Sequence, residues 1–127
     1  MRQYYKNAYA EYRIEAGILF LYYTTRCLSL HIATKVVQDR LRFQIDTPYP
    51  IYCDVREIIG STKEARDYLL QEGSVLTLAI AFHIDRGLSE SMLKFYLLHR
   101  EPHIATQFFY EKDPAVAFLK KYREPKQ

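Results

Sequence analysis

The sequence predicts one α/β domain in which mostly parallel strands alternate with helices. Apolar residues recur with a period near two in some segments and near 3.6 in others, and the two kinds of segment alternate along the chain. The segments 18–24 and 75–82 are apolar on both faces, as strands are when helices cover a sheet on both sides. A length of 127 residues fits a single domain, so we expect one domain over 1–127.

A β-hairpin is predicted at the start of the chain. Apolar and polar residues alternate over 8–15, as in a strand with one solvent-exposed face. Ala16 and Gly17 favour a turn, and 18–24 follow as a second strand that we expect further into the sheet. Residues 1–7 have no decisive period, and we predict a loose end or a short extension of the first strand.

A first helix is predicted over 30–43, with Ser29 as its N-cap. Its polar residues, among them Asp39, fall mostly on the side that we expect to face solvent. The segment 46–50 ends the helix because proline restricts the residue before it and cannot donate to the helix ladder.

A strand at 51–56 and a helix at 63–71 follow, with Ser61 or Thr62 as the helix N-cap and Gly73 as the stop signal. If Ser61 is the cap, Glu64 stands three residues later and completes a capping box.

The last third of the chain repeats the alternation of strand and helix. Asp113 precedes Pro114, which predicts a cap residue followed by proline at the first helical position. Residues 123–127 are predicted to be a loose end. The predicted elements are a strand at 75–82, a helix at 88–99 closed by Pro102, a strand at 104–110 and a helix at 114–122.

The predicted order is therefore β-β-α-β-α-β-α-β-α. Crossovers between parallel strands are nearly always right-handed, so we expect a single-wound right-handed β-α superhelix. Its sheet would have five strands, mostly parallel, with an antiparallel N-terminal edge strand.

Composition argues against several classes of protein. The net charge of +3, from 18 Lys and Arg against 15 Asp and Glu, is too small for a dedicated nucleic-acid binder. No run of about 18 apolar residues could span a bilayer. Cys27 and Cys53 have no His or Cys at ligand spacing, which indicates free thiols in a reducing compartment. We therefore expect a cytoplasmic protein.

Polar residues lie where the strand at 51–56 passes into the following helix. Asp54 and Arg56 stand at alternate positions and can point to one face, either as an ion pair or with Asp54 holding a loop. Ser61 and Thr62 can cap the helix, or can form an anion site with its free N–H groups. Arg66 lies one turn into the same helix.

No motif predicts catalysis, a cofactor or a metal. The four histidines are scattered, and the four glycines are isolated, so neither a zinc set nor a phosphate-binding loop is present in the sequence. Cys53 lies in a strand predicted to be buried, where a thiol is inert. We expect a protein that is not an enzyme and needs no cofactor.

Tyrosine is unusually frequent, with 12 in the chain, and half of them lie in the first 23 residues. They could stack bases between neighbouring basic residues. Glu11 and Glu15 balance that charge, so we favour a hairpin packed on its own core or on a second copy of the chain.

The order of elements and several phrases resemble the STAS-like superfamily of anti-sigma factor antagonists, including uncharacterised bacterial STAS and CRAL-TRIO-like proteins. The resemblance spans residues 9–122. The residues that carry it are Gly17-Ile-Leu, Leu30-His-Ile-Ala33, Asp54-Val-Arg, Ser61-Thr-Lys-Glu-Ala-Arg66, Ala79-Ile-Ala81, Pro102, Phe108 and Ala117-Phe-Leu119.

This resemblance implies a non-enzymatic regulatory module that binds a protein partner or a small anionic ligand. The expected edge lies between the strand at 51–56 and the helix at 63–71 and comprises Asp54, Arg56, Ser61, Thr62 and Arg66. In anti-sigma factor antagonists a phosphorylated serine lies within Asp-Ser-Ser-Gly, whereas Gly60-Ser-Thr-Lys63 stands here. The alternative is a lipid or small-molecule carrier of CRAL-TRIO-like type, with a pocket between the helix at 88–99 and the sheet.

Overall fold

A six-stranded sheet organises the computed structural model of the chain, which describes residues 3–87 and 104–123. The strands are β1 (Tyr4–Lys6), β2 (Ala10–Glu15), β3 (Ile18–Tyr23), β4 (Cys27–Leu28), β5 (Tyr49–Asp54), β6 (Gly60–Ser61), β7 (Thr77–His83) and β8 (Ala105–Phe109). The helices are α1 (Leu30–Gln44), α2 (Lys63–Glu72) and α3 (Lys112–Lys120). The predicted helix at 88–99 lies outside the described residues.

The main sheet has the strand order β1-β2-β3-β5-β7-β8, and β4 pairs separately with β6. Strands β1, β2 and β3 are antiparallel neighbours, whereas β3, β5, β7 and β8 are all parallel. The predicted α/β architecture, with a mostly parallel sheet and antiparallel strands at its N-terminal edge, is confirmed.

The sheet has one strand more than predicted, because β1 pairs with β2 at the edge. The prediction of a loose end or a short extension of the first strand is therefore wrong for Tyr4–Lys6, which form a separate strand. Asn7 explains the difference: its side-chain oxygen accepts hydrogen bonds from the backbone N–H groups of Tyr9 and Ala10, both at 2.8 Å. This Asx-type turn folds β1 back onto β2, and a three-residue strand is too short to show a period.

Strands β2 and β3 form the predicted hairpin. Its two turn residues, Ala16 and Gly17, have φ values of 51° and 78°. Two positive φ angles are typical of the type I′ turn, whose twist matches that of the flanking strands.

The helix starts are set by local capping. Ser29 caps α1 as predicted, because its hydroxyl oxygen accepts from the Ile32 N–H at 3.3 Å. The last helix begins earlier than predicted, at Lys112, so Asp113 and Pro114 lie inside its first turn and Asp113 is not the cap. A carboxylate there still faces the positive end of the helix dipole, and proline loses no hydrogen bond in a first turn.

Side chains on the two faces of the sheet form two cores. One core packs under α1 and α2 and includes Leu19, Leu21, Ile51 and Cys53. The other packs under α3 and includes Ile18, Phe20, Tyr52, Ala79, Ala81, Ala115 and Leu119. No helix in the described part of the chain is long and apolar enough to cross a membrane.

Candidate functional site

The carboxyl ends of the parallel strands meet at one edge of the main sheet. Tyr22 of β3 is in register with Asp54 of β5, Asp54 with His83 of β7, and His83 with Phe109 of β8. Register partners in a sheet project to the same face, and this row lies on the α3 face. Binding sites in α/β sheets favour this edge. We call these four residues the carboxyl-edge row.

Asp54 and Arg56 form a two-pronged ion pair in this region. The Arg56 Nε donates to Asp54 Oδ1 at 3.0 Å, and its Nη2 donates to Oδ2 at 2.8 Å. The backbone N–H of Arg56 donates to the same Oδ1 at 3.0 Å. The hydrogen bond to Asp54 raises the pKa of Arg56 above its ordinary value. The predicted pairing is present, and Asp54 also holds the loop backbone.

The small sheet of β4 and β6 brings the starts of α1 and α2 together. Leu28 is in register with Ser61, and the Thr62 N–H donates to the Leu28 carbonyl at 3.0 Å. One step earlier, the Ile59 N–H donates to the Arg26 carbonyl at 2.8 Å. The loop after β5 is therefore fastened at both ends, by Asp54 at one and by this small sheet at the other.

Thr62, and not Ser61, caps α2. The Thr62 hydroxyl oxygen accepts from the Ala65 N–H at 3.1 Å. Ser61 lies in β6, so the capping box that would join it to Glu64 does not have Ser61 in the cap position. Arg66 Nη1 donates to the Ser61 carbonyl at 2.8 Å and to its hydroxyl at 3.0 Å. The capping interpretation holds for Thr62, and Ser61 is bound to Arg66.

We expect Thr62→Ala to lower the free energy of unfolding by about 1 kcal/mol, because the Ala65 N–H loses its acceptor. Thr62→Ser keeps the acceptor and is the matched control, with an expected change within about 0.5 kcal/mol. Urea unfolding of both variants measures the difference. Equal loss in both would show that the threonine methyl group, and not the cap, stabilises this helix.

A hydrogen-bonded chain that runs through His83 of the carboxyl-edge row was not predicted. The Tyr52 hydroxyl donates to Nδ1 of His83, and Nε2 of His83 donates to the Tyr110 carbonyl at 3.2 Å. The carbonyl can only accept, so Nε2 carries a proton, and in a neutral imidazole Nδ1 is then the acceptor for the Tyr52 hydroxyl. Burial raises the pKa of the Tyr52 hydroxyl, which therefore stays protonated as the donor.

Lys112, at the start of α3, lies over the rings beside this hydrogen-bonded series of Tyr52, His83 and Tyr110. Its ammonium nitrogen lies 5.2 Å from the ring centre of Phe20, 5.6 Å from that of Tyr22 and 5.7 Å from that of Tyr52. It also donates to the Tyr22 hydroxyl at 3.0 Å. The signal in the sequence was the placement of Tyr22 and His83 at the ends of predicted strands, but their meeting with Lys112 depends on the register between strands.

Exposed apolar side chains lie beside the two helix starts. Leu30, the first residue of α1, is 44% exposed, and Ile59, just before β6, is 54% exposed. Arg26 and Lys63 are exposed in the same segments. We call these four residues, together with Thr62, the helix-start surface. An apolar centre with a polar rim is typical of protein interfaces.

Cys53 is a reactive group that lies away from the surface. The Cys53 thiol is 3% exposed, and burial raises its pKa well above the ordinary value, which keeps it in the unreactive neutral form. Among residues 3–87 and 104–123, no group of three or more His, Cys, Asp or Glu could hold a metal ion. The carrier pocket predicted beside the helix at 88–99 falls outside these residues.

Comparisons with known proteins agree with the fold. The chain is similar to a crystal structure of an uncharacterized protein from the DUF3478 family with a SpoIIAA-like fold, from Shewanella loihica PV-4. The two share 14% identity and a TM-score of 0.64 over 91% of this chain and 98% of that chain. The resemblance to the STAS-like superfamily is thus confirmed for the fold.

No curated protein matches the chain. The profile of one family, described as "Domain of unknown function (DUF7793)", matches residues 12–123, which include every strand from β3 to β8 and all three described helices. The chain therefore belongs to the DUF7793 family.

Proposed function

We propose that this chain is a non-enzymatic regulatory module that binds a protein partner through the helix-start surface. The observation that carries the proposal is the exposure of Ile59 and Leu30 on two segments that the small sheet fastens together. A rigid surface loses little conformational entropy on binding, so exposed apolar side chains on it contribute more to affinity. The two free thiols, Cys27 and Cys53, support a cytoplasmic location.

A protein partner suits this surface better than a small anion does. Arg56 already donates to both carboxylate oxygens of Asp54, and Arg66 donates to Ser61. An anion would have to displace these bonds, whereas a partner can bury Ile59 and Leu30 without breaking any of them. Apolar burial contributes roughly 25 cal/mol per Å² of surface removed from water.

The test is partner recovery from the source organism with tagged variants, quantified against the wild-type protein. We expect Ile59→Glu combined with Leu30→Glu to reduce recovery of a specific partner at least about tenfold, since each carboxylate would lose its hydration against the partner and the apolar contact would be lost as well. Ser61→Glu with Thr62→Glu should reduce it as well. Ile45→Glu is the matched control, because Ile45 is 65% exposed at the other end of α1.

Equal recovery with the Ile59 and Leu30 double variant would rule out the helix-start surface. Equal loss with Ile45→Glu would mean that any exposed apolar residue matters and that the binding is nonspecific. Circular dichroism of each variant checks that the fold is retained.

A small anionic ligand at the carboxyl edge is the second candidate. The ammonium of Lys112 is exposed and lies beside the Tyr22 hydroxyl, which supports an anion site next to the carboxyl-edge row. Native mass spectrometry of protein purified without refolding tests this idea and the lipid-carrier alternative together. A retained ligand whose binding is lost in Lys112→Ala supports the anion site, and a retained lipid supports the carrier.

A further inference from the structure

The outer edge of β1 carries backbone hydrogen-bonding groups that point away from β2. Within the β1–β2 ladder the Ile14 N–H donates to the Gln3 carbonyl, and the Asn7 N–H donates to the Ala10 carbonyl, both at 3.0 Å. Antiparallel pairs alternate between bonded and non-bonded, so Tyr5 bonds inward to Tyr12, whereas the N–H and C=O groups of Tyr4 and Lys6 point away from β2. In the described part of the chain no strand pairs with that edge. Such an edge is a template for another strand.

The side chains of this edge are complementary to those of a second copy of the same edge. Consider two β1 strands paired antiparallel about a twofold axis at Tyr5. Tyr4 then lies directly opposite Lys6 of the second copy, and the outward N–H and C=O groups of both residues form bonded pairs. Lys6 is in register with Glu11 in its own chain, and Tyr4 with Arg13.

Each lysine in this arrangement stands between a ring and a carboxylate. On one side is the Tyr4 ring of the other copy, and on the other side is Glu11 of its own chain. Within one chain, the Arg13 guanidinium lies 5.5 Å from the Tyr4 ring centre, and the Tyr4 hydroxyl donates to Glu11 at 2.9 Å. No two like charges are directly opposite, which would destabilise a strand pair.

The opposite face of the sheet adds an aromatic contact on the axis. The ring of Tyr5 packs 5.7 Å from that of Tyr12 and 6.4 Å from that of Phe43. On the twofold axis the two Tyr5 residues form a non-bonded pair, the kind in which side chains approach most closely. The aromatic row that runs from Phe43 through Tyr12 to Tyr5 would therefore continue into the second copy.

We propose that this chain forms a twofold-symmetric homodimer by antiparallel pairing of β1 with β1 of a second copy, which joins the two sheets into one. The interface is separate from the helix-start surface, so it neither needs nor excludes the partner proposed above. The backbone groups of β1, the Tyr4 and Lys6 side chains on one face and the Tyr5 side chain on the other all fit the same twofold pairing. This agreement favours a second copy over an unrelated extended peptide. It also gives the tyrosine-rich N-terminal hairpin a role.

The first test is the oligomeric state by sedimentation velocity over a wide range of protein concentration. Wild type should be a dimer, and Lys6→Pro should be a monomer at the same concentrations. Proline removes the outward N–H of Lys6 and leaves every bond to β2 in place, a substitution that edge strands tolerate. Lys6→Ala is the matched control, because it removes the charge but keeps the N–H, and it should remain a dimer with weaker association.

The second test does not depend on how Lys6→Pro folds. In a Cys27→Ser background, which removes the exposed thiol, Tyr5→Cys should form an intermolecular disulfide on mild oxidation. Facing Cα atoms in a non-bonded pair are about 4.5 Å apart, within the range that a disulfide spans. Glu15→Cys in the same background should not cross-link, because it lies on the neighbouring strand.

Three results would overturn the proposal. One is a monomeric wild type at all concentrations, and another is a dimer that persists in folded Lys6→Pro. The third is equal cross-linking of Tyr5→Cys and Glu15→Cys, which would place the contact elsewhere or make it random. If the wild type is a monomer that binds an extended peptide, and Lys6→Pro prevents this binding, the edge belongs to an interaction with another protein.

Discussion

Replacing Arg40 with alanine is expected to lower the free energy of unfolding by about 3 kcal/mol. Arg40 is only 2% exposed, although it lies on α1 and carries a charge. Its guanidinium donates to the carbonyl of Val75 at 3.1 Å and to that of Gly73 at 3.5 Å, and it also donates to the side chain of Gln44. Alanine would remove this donor from the buried side-chain oxygen of Gln44, and the Thr77 hydroxyl, which lies within hydrogen-bonding distance of both carbonyls, can donate to only one of them at a time.

Arg40 and Gln44 together hold the connection between α2 and β7. Gln44 donates to the Thr47 carbonyl at 2.9 Å and to the Leu76 carbonyl at 2.8 Å. Leu76 has a φ of 56°, a conformation that a leucine keeps only when its surroundings hold it. Arg40 and Gln44 thus stabilise a strained turn, and Arg40→Ala should also increase hydrogen exchange in residues 73–76.

Arg42→Ala is the control for the loss of an arginine from the same helix. Its side chain is 79% exposed, and its closest carboxylate contact, to Asp39, is 3.7 Å. An exposed pair of this kind contributes less than about 1 kcal/mol. Urea unfolding compares the two variants, and a similar loss in both would mean that helix propensity or net charge, rather than the buried hydrogen bonds, explains the effect.

Local signals in the sequence predicted the strands, the hairpin and the helix starts, because turns and caps depend on neighbouring residues. Asp39 marks where that reasoning fails. The helical period placed it on the solvent face, which is wrong, since it is 3% exposed. Asn7 donates to its carboxylate at 2.9 Å and Lys35 at 3.3 Å. Asn7, in the turn after β1, lies 32 residues earlier in the chain than Asp39, so no local pattern reports the burial.

In the candidate site, too, some features could be predicted from neighbouring residues and others could not. Their closeness in the sequence was enough to predict that Asp54 and Arg56 would pair, although Arg56 lies in the turn after β5 and not in the strand. The choice between Ser61 and Thr62 as the cap depends on the register between β4 and β6, and the contact of Tyr52 with His83 depends on the register between β5 and β7. Strand register is set by long-range pairing, which one sequence does not reveal.

Stability should fall steeply in alkaline solution. The pKa values of three buried tyrosine hydroxyls and one buried thiol are raised from ordinary values of 10.0 and 9.0, and desolvation is the largest cause for each. The four groups are those of Tyr12, Tyr23, Tyr52 and Cys53. In the folded state they keep their protons at a pH where the unfolded chain releases them. The contribution of these four groups to stability is therefore present below pH 9 and is lost as the pH rises above their ordinary pKa values.

Each such group lowers the free energy of unfolding by about 1.4 kcal/mol per pH unit above its ordinary pKa, until its folded-state pKa is reached. Four groups together give a slope of about 5 kcal/mol per unit, which is comparable to the whole stability of a typical domain. We expect cooperative unfolding within about one to two units above pH 10. Circular dichroism and tyrosinate absorbance should change together, since the buried hydroxyls ionise only as the chain unfolds.

Tyr23→Phe separates burial from general charge repulsion. Its side chain is 5% exposed, and phenylalanine removes one proton-releasing group while keeping the ring. The slope against pH should decrease by about 1.4 kcal/mol per unit, and the alkaline midpoint should rise. High salt should change neither, because it screens surface charges but not desolvation. A transition that salt shifts upward while Tyr23→Phe leaves it in place would instead assign alkaline unfolding to repulsion among surface carboxylates and exposed tyrosinates.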